Sequence, residues 1–341
     1  MKIHRRGFIG GLGSALLVPG QSVAASITDA TGRTVTAPAR VTRVYPAGPP
    51  AAVELYTLAP DLLVGWLEPI TPAAREFLIP DIAARPQIPR LTNRGGNIDL
   101  NALTSLRPDL IVDIGNVGES FKSLAERVQQ QSGIPYVLLD GHLGRIGATY
   151  RALGELIGRS GAAEALAGSA ENTVAVIARR SATVPSEARP RIYYARDKSG
   201  LQTGAGGSMI AEPIEFIGAR NVADELHGAH GRATVAQVRA WNPDIIIASD
   251  AEFAAKVRND PDWAAIAAVK SGRVHLAPKL PFGWVDYPPA VNRLIGLWWL
   301  AKICYPDRFP EDIKPLARDF YTTFYHVTPS AAQFDRVLAG G

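Results

Sequence analysis

The sequence predicts an α/β protein with two similar lobes of mostly parallel sheet, joined by one long α-helix, with a cleft between the lobes. Short apolar strands alternate with helical segments along most of the 341 residues, a pattern typical of parallel sheets built from βαβ units. A set of sequence landmarks recurs after 135 residues, which indicates that the two halves are related. Between the two copies, residues 147–183 have the apolar spacing of a helix.

The first 25 residues are typical of an export signal rather than of the folded protein. Arg5 and Arg6 precede an apolar stretch over residues 8–18 that is too short to span a bilayer. The paired arginines resemble a twin-arginine signal, and a general secretory signal is the alternative. Because the cleavage region lacks a cysteine for a lipid anchor, we expect a soluble periplasmic protein that begins near Ser26.

Composition excludes several classes of function. The net charge is +4, but the predicted signal carries three of these positive charges, and no long basic run follows it. We therefore do not expect a nucleic-acid partner. The single cysteine, Cys304, excludes an internal disulfide, and its apolar helical surroundings predict a buried structural thiol.

Residues 26–146 are predicted to form the first lobe. It begins with a hairpin over Ile27–Pro38 that turns at Thr31-Gly32. Strand–helix units follow, with strands expected at residues 41–45, 62–66, 110–114 and 136–139 and helices at residues 51–59, 100–106 and 121–131.

Residues 147–183 are predicted to be the connecting helix, and residues 184–341 the second lobe. Gly158–Gly161 interrupts the helical pattern, and Ser160 is a candidate cap for the segment that follows. We interpret this region as a rigid strut between the lobes; an ordinary surface helix of a single larger domain is the alternative. The second lobe has predicted strands at residues 191–195, 245–248 and 274–276, and a glycine-rich loop at residues 200–208.

The repeat is the strongest internal indication of two related lobes. In each copy a short helix ends at a proline-aspartate pair, and an apolar strand follows. Each landmark has a counterpart 135 residues later: Leu100 and Val235, Leu103 and Val238, Leu106 and Trp241, Pro108 and Pro243, Asp109 and Asp244.

These features together resemble the periplasmic substrate-binding proteins of ABC importers for ferric siderophores, cobalamin, haem and some metal oxyanions, of the class III type with a helical backbone. The residues that carry the resemblance are the hairpin at Ile27–Pro38, the run at Leu100–Ile114, its counterpart at Val235–Ala248, the helix near Gly161–Thr183 and the segment Pro281–Leu300. The resemblance implies a monomer that binds a ligand between its lobes and delivers it to an inner-membrane permease.

The resemblance favours a ferric-siderophore-type iron complex as the ligand, with the iron carried inside that complex and no intrinsic cofactor. Molybdate or tungstate, cobalamin, haem and other metal chelates are alternatives within the same class. An exported two-lobed enzyme is a further alternative. The sequence has no Gly-x-Ser-x-Gly elbow and no zinc-ligand pair to support it, so we expect no catalytic residues.

One departure from the family pattern concerns docking on the permease. Family members often carry a glutamate in each repeated helix that contacts permease arginines, and here Asn101 and Ala236 stand at those positions. Asp99, Glu68 and Glu225 are candidate substitutes.

Loops that follow the strands supply the candidate ligand-binding residues, because ligands of open α/β sheets bind outside the carboxyl ends of the strands. Arginine offers a fixed fork of donors for catecholate, carboxylate or oxyanion oxygens, and aromatic rings stack on planar ligands. The predicted set is Pro49, Asn93, Arg94, Gly95, Asn116, His142, Tyr194, Arg196, Thr203, Trp284, Tyr287 and Arg293.

Each of the more specific assignments has a structural alternative. Arg94 is alternatively a solvated loop charge, and Arg293 a structural ion pair at the start of an amphipathic helix. Trp284 is alternatively a plug at the lobe junction. His142 and Tyr287 are candidate direct metal ligands, although a lone histidine is more often a hydrogen-bonding loop residue. His227 and His230 are a further candidate pair, with glycines on both sides that favour a loop.

Overall fold

The computed structural model describes residues 24–91, 98–228 and 230–340, so the predicted export signal lies almost wholly outside the described residues. The strands are β1 Ser26–Thr28, β2 Thr34–Thr36, β3 Val44–Pro46, β4 Leu110–Gly115, β5 Tyr136–Asp140, β6 Arg191–Ala195, β7 Gln202–Gly204, β8 Arg220–Asn221, β9 His230–Arg232, β10 Ile245–Ala248 and β11 Val274–Leu276. The helices are α1 Pro49–Leu58, α2 Pro72–Arg75, α3 Pro80–Ala83, α4 Leu100–Ser105, α5 Glu119–Ser132, α6 Ile146–Leu156, α7 Ser160–Ala182, α8 Glu212–Phe216, α9 Val235–Trp241, α10 Ala251–Lys256, α11 Ala267–Lys270, α12 Arg293–Cys304, α13 Ile313–Phe320 and α14 Ala331–Leu338.

Two separate parallel sheets form the framework, one in each half of the chain. In the first half the order is β3-β4-β5, and in the second half it is β11-β10-β6-β8. The central strands β4 and β10 consist mainly of buried apolar residues, as parallel strands covered on both faces do. This arrangement confirms the predicted α/β class with mostly parallel sheets.

The 135-residue repeat has a structural basis at the proline-aspartate pairs. The carboxylate of Asp109 accepts hydrogen bonds from the backbone N–H groups of Thr42 and Arg43, just before β3. Asp244 likewise accepts from the N–H of Arg191, at the start of β6. The residue before each proline, Arg107 or Asn242, has a left-handed φ of 45° or 44°. The repeat therefore encodes one way of ending a helix and aligning the next strand, used in both sheets.

Two predicted elements differ from the structure. Residues 62–66 do not form a strand, since a 3₁₀ turn at Pro60–Leu62 is followed only by single bridges from Leu63 to Val44 and from Trp66 to Gln87. The proposed strut over residues 147–183 is two helices, α6 and α7, which pack closely on each other. Ser160 is the first residue of α7 rather than its cap, and Arg159 in the cap position makes no side-chain cap bond. Helix α7 alone has 23 residues and would span about 35 Å.

A single large core joins the two halves of the chain. It packs apolar residues of β4 and β6 with helices α1, α7, α12 and α13. Aromatic rings from distant segments meet within it: Tyr56, Trp66, Phe282 and Tyr325 contact one another with centroid distances of 5.6–6.5 Å. Among the described residues, none of the helices has both the length and the apolar character needed to cross a bilayer.

Candidate functional site

Two adjoining cavities lie at the carboxyl ends of the strands, between residues of the two halves. The first, of about 560 Å³, is here named the apolar chamber and has walls that include Trp66, Ile70, Leu280, Phe282 and Trp284. The second, of about 510 Å³, is named the polar chamber and has walls that include Arg90, Asn116, Ser208 and His230. Both chambers share Pro49, Arg196, Asp286, Tyr287 and Pro288, so they form one cleft.

Arg196 lies where the two chambers meet, directly after β6. Its side chain is 11% exposed, and its Nη2 is 2.6 Å from Oδ2 of Asp286, in an orientation that leaves this oxygen without a directed hydrogen bond. Nη1 donates to Nδ1 of His230 at 2.8 Å. The third donor of the guanidinium, Nε, is buried and has no partner. The arrangement therefore leaves one buried donor and one carboxylate oxygen incompletely satisfied at the wall of the cleft.

Tyr194 supports this arginine from β6 itself. Its hydroxyl donates to Oδ1 of Asp286 at 2.5 Å, and burial raises the pKa of Tyr194 well above its usual range. The phenol is therefore neutral and holds the Asp286 carboxylate in place. Asp286 in turn orients Arg196 toward the cavities, as a buried carboxylate commonly orients a functional side chain.

Tyr287 separates the chambers and is half-exposed at 52%. Its hydroxyl donates to Oε1 of Glu68, which also pairs with Arg90. Burial and, to a smaller degree, the adjacent Glu68 raise the pKa of Tyr287. The ring thus stands across the cleft from one half of the chain to the other.

The structure brings six of the twelve predicted residues together in the cleft. Pro49, Asn116, Tyr194, Arg196, Trp284 and Tyr287 lie in the walls of the cleft. Trp284 is fully buried and donates through Nε1 to the hydroxyl of Tyr321, so it forms the rear wall and also fills the core. Asn93, Arg94 and Gly95 lie outside the described residues.

Three predicted residues do not line either chamber, and each has a local reason. Arg293 is fully buried and pairs with Glu212 at 2.6 Å, in agreement with the structural ion pair given above as its alternative. Thr203 lies inside β7 with no exposure. His142 follows β5, but its Nδ1 lies 2.6 Å from the carboxylate of Asp140, beside the cleft rather than in its wall.

The described part of the chain contains no group of three or more histidine, cysteine or acidic residues placed to hold a metal ion. Tyr287 points to Glu68, and His142 to Asp140. Neither contact brings these two candidate ligands to one point.

Several residues of the cleft lie outside the predicted ligand set, although His230 was named as one of a candidate pair and Glu68 as a candidate docking residue. They are Trp66, Glu68, Arg90, Gln202, Ser208, His230 and Asp286. Asp286 carries a usable signal, because an acidic residue between Val285 and Tyr287 in an otherwise apolar loop needs a charged partner when it is buried. Trp66 and Arg90 carry none, since nothing in their local sequence distinguishes them from core and surface residues.

Comparisons with known proteins agree with this architecture. The sequence profile of the periplasmic binding protein family matches residues 81–280. The molybdate-binding protein MolA of Haemophilus influenzae is 31% identical over 156 residues, which cover 45% of this chain and 44% of that relative, so the match spans less than half of its length.

Two solved structures are similar over almost the whole fold. An ABC transporter solute binding protein from Sulfurospirillum deleyianum superposes with a TM-score of 0.84 and 26% identity, covering 92% of this chain and 99% of that one. MolA of Haemophilus influenzae with bound molybdate superposes with a TM-score of 0.74 and 22% identity, covering 89% and 99%. This similarity to two-lobed binding proteins supports the reading of the cleft as an interlobe site.

Proposed function

The chain belongs to the periplasmic binding protein family, and from that premise we propose that its cleft captures an anionic, oxygen-rich metal complex and passes it to an ABC permease. Members of this family are solute-binding proteins rather than enzymes, and binding proteins of this type deliver small ligands to such permeases. The chemical nature of the ligand is our inference from the walls of the cleft.

The observation that carries the proposal is the incomplete satisfaction of Arg196. A buried guanidinium Nε without a partner carries an energetic cost, which an acceptor oxygen of the ligand would remove. Arg90 in the polar chamber is a further cation near the same point. Both donors suit oxygens that already hold a metal, because arginine contacts such ligands from outside the coordination shell.

A ferric-siderophore-type complex is the first candidate. The two chambers of about 510 and 560 Å³ lie in the size range of sites for organic ligands. The walls also carry rings and prolines, among them Tyr287, Pro49 and Pro288, which suit the planar groups of a chelator. Iron would then enter as part of the cargo, with no resident cofactor.

Molybdate is the second candidate, and tungstate shares its chemistry. The molybdate-binding MolA of Haemophilus influenzae is the relative with 31% identity over 156 residues. A tetrahedral oxyanion would use the same Arg196 donors, although it would fill only part of the cleft. Cobalamin, haem and other metal chelates remain alternatives within this class.

Intrinsic fluorescence is the direct test, because Trp66 and Trp284 lie in the cleft wall. We would titrate the native protein with ferric catecholate and hydroxamate complexes, molybdate, tungstate, cobalamin and haem, and confirm each response by calorimetry. We expect binding by a ferric complex in the micromolar range or tighter, about −8 kcal/mol or better. Saturation by molybdate alone would favour the second candidate.

Matched variants connect that binding to the cleft. Arg196→Gln removes the fork and is expected to weaken binding by at least about tenfold. Arg151→Gln removes an arginine of α6 whose partners Glu164 and Glu171 are exposed on α7, and it should bind as the native protein does. Binding that survives Arg196→Gln unchanged, or no binding by any anion of the panel, would contradict the proposal.

Export, assembly and docking complete the proposal. We propose that a twin-arginine signal directs the chain to the periplasm and that it acts there as a monomer. Asn101 on α4 and Ala236 on α9 are both exposed. We therefore expect the permease to contact these two positions without the glutamate–arginine pairs that are usual in the family. Fractionation of expressing cells and light scattering of the purified protein test these expectations.

A further inference from the structure

We propose that the apolar chamber is a second subsite of the cleft, which holds an apolar arm of the ligand while its anionic head lies against Arg196 in the polar chamber. This inference rests on the proposed function for the head of the ligand. It narrows the ligand class to amphipathic metal complexes, in which an acyl or aromatic group extends from the oxygen-rich core.

The chamber has mainly apolar walls contributed by both halves of the chain. Ile70 comes from the loop before α2, and Leu280 comes from the loop after β11. Both side chains are only partly buried, so each presents apolar surface to the cavity. Trp66 and Phe282 form a further wall, with ring centroids 6.0 Å apart.

Three polar groups of these walls are already bonded within the protein. Trp66 donates through Nε1 to the carbonyl of Ile82 at 2.8 Å, and the hydroxyl of Ser249 donates to the carbonyl of Arg196 at 2.6 Å. Thr71 uses its hydroxyl to accept from the N–H of Ala74. The exposed side chains of Lys279 and Gln202 also line the chamber. Next to the bonded groups a hydrated polar group gains little, so the part of the chamber around Trp66 favours an apolar occupant.

The volume of the cleft also favours a ligand that has an apolar arm. A four-oxygen anion has roughly the volume of four or five water molecules, at about 30 Å³ each. The polar chamber alone, at about 510 Å³, accommodates such a head with room to spare. The 560 Å³ beyond Tyr287 would then be filled by water against apolar walls, unless the ligand brings apolar surface of its own.

Tyr287 connects the two subsites. Its ring belongs to the walls of both chambers, and its hydroxyl is held by Glu68 on the opposite side of the cleft. An arm that extends from the polar to the apolar chamber must pass along this ring, which makes aromatic or aliphatic contact with it.

A matched pair of ferric complexes tests the arm separately from the head. One is the ferric complex of 2,3-dihydroxybenzamide, and the other is the same complex with a hexyl chain on the amide nitrogen. We expect the hexyl complex to bind the native protein at least about tenfold more tightly, since burial of several CH₂ groups favours it. Ile70→Asn and Leu280→Asn should reduce this advantage to less than about threefold, a ratio of the two affinities of one variant that does not depend on its affinity for the bare complex. Leu106→Asn, at a partly buried leucine beyond α4 and outside the cleft, is the control and should keep the advantage.

The fluorescent anion 8-anilinonaphthalene-1-sulfonate separates this inference from the proposed function. We expect it to bind the native protein and Leu106→Asn, and to bind Ile70→Asn and Leu280→Asn at least about tenfold more weakly. Dye binding of this kind supports the apolar subsite even when neither ferric complex binds, a result that would overturn the metal-complex proposal alone. Equal affinity of the bare and hexyl complexes, or dye binding that the two chamber variants leave unchanged, would overturn the inference.

Discussion

Two arginines of this protein show how the same side chain is fully bonded in one place and incompletely bonded in another. Arg293, fully buried at the start of α12, donates from Nε to the carbonyl of Ala290, from Nη1 to Glu212 and from Nη2 to the carbonyl of Gly141. Arg196 is nearly as buried, but its Nε has no partner and its guanidinium borders two cavities.

The difference teaches that satisfied donors distinguish a structural arginine from one available to a ligand. We call the surroundings of Arg293 the lobe junction. There Glu212 also accepts a hydrogen bond from the N–H of Leu143 at 2.8 Å. One ion pair thus binds the segment after β5 to helix α8 of the other half. We call the surroundings of Arg196 the cleft node. There the buried Nε has no partner, so the protein alone does not complete the network.

The largest expected effect comes from opening the lobe junction. Arg293→Met leaves the largely buried Glu212 carboxylate without its cation, and the carbonyls of Gly141 and Met209 without the guanidinium. We therefore expect the free energy of unfolding to fall by about 3 to 5 kcal/mol. Urea denaturation measures this change. The control is Arg336→Met, which removes an exposed pair with Glu76 and should cost less than about 1 kcal/mol. Equal costs for the two variants would remove the distinction between the lobe junction and the surface.

The second effect concerns pH, and it arises from Glu54 beside the lobe junction. Burial raises the pKa of Glu54 to about 7, an effect that its hydrogen bond with Tyr150 and the charge of Arg293 only partly offset. Because the folded state holds this proton more tightly than the unfolded state, the stability contribution is fully present below pH 4.5, the unfolded value, and is lost as pH rises to about 7.

Glu54→Gln tests this dependence. Between about pH 4.5 and about pH 7 the unfolding free energy of the native protein should decrease. In the variant this decrease should be smaller by about 2 to 3 kcal/mol. Denaturation at several pH values measures it. Some dependence will remain in both proteins, because burial also raises the pKa of Asp113, to about 6. Parallel pH profiles for native protein and variant would contradict the assignment.

The third effect separates charge from geometry at the cleft node. Arg196→Lys keeps a cation beside Asp286 but loses the planar fork, so we expect binding of whichever anion saturates the native protein to weaken by about tenfold, or about 1.4 kcal/mol. The free energy of unfolding should change by less than about 1 kcal/mol, because the ion pair persists. Calorimetry and urea denaturation measure the two quantities. A variant that unfolds easily yet binds normally would place Arg196 with Arg293 as a structural residue.

The smallest effect is expected at Tyr287. Tyr287→Phe removes the hydrogen bond to Glu68 and keeps the ring, so both unfolding and binding should change by less than about 1 kcal/mol. Tyr287→Ala, by contrast, removes the wall shared by the two chambers and should weaken binding of the hexyl complex more than that of the bare complex. If the phenylalanine variant lost binding, the hydroxyl rather than the ring would be the functional part.

Much of the framework was predictable because its causes are local. The proline-aspartate pairs at Asp109 and Asp244 act on strands that begin next to them in the sheet, and the preceding Arg107 and Asn242 take the same left-handed conformation. Apolar spacing likewise indicated α9, α12 and the central strands. The strand expected at residues 62–66 failed because a short apolar run does not reveal whether a neighbouring strand is free to pair with it.

The sequence by itself determined the two-sheet architecture, the repeat and the cleft at the strand ends, because these follow from periodicity and from turn residues a few positions apart. Only the tertiary structure decided which arginine is available to a ligand. Glu212 and Gly141, two partners of Arg293, lie 81 and 152 residues away in the chain, and the partners of Arg196 lie 34 and 90 residues away. Whether a buried donor is satisfied depends on such distant groups, and no local pattern records them.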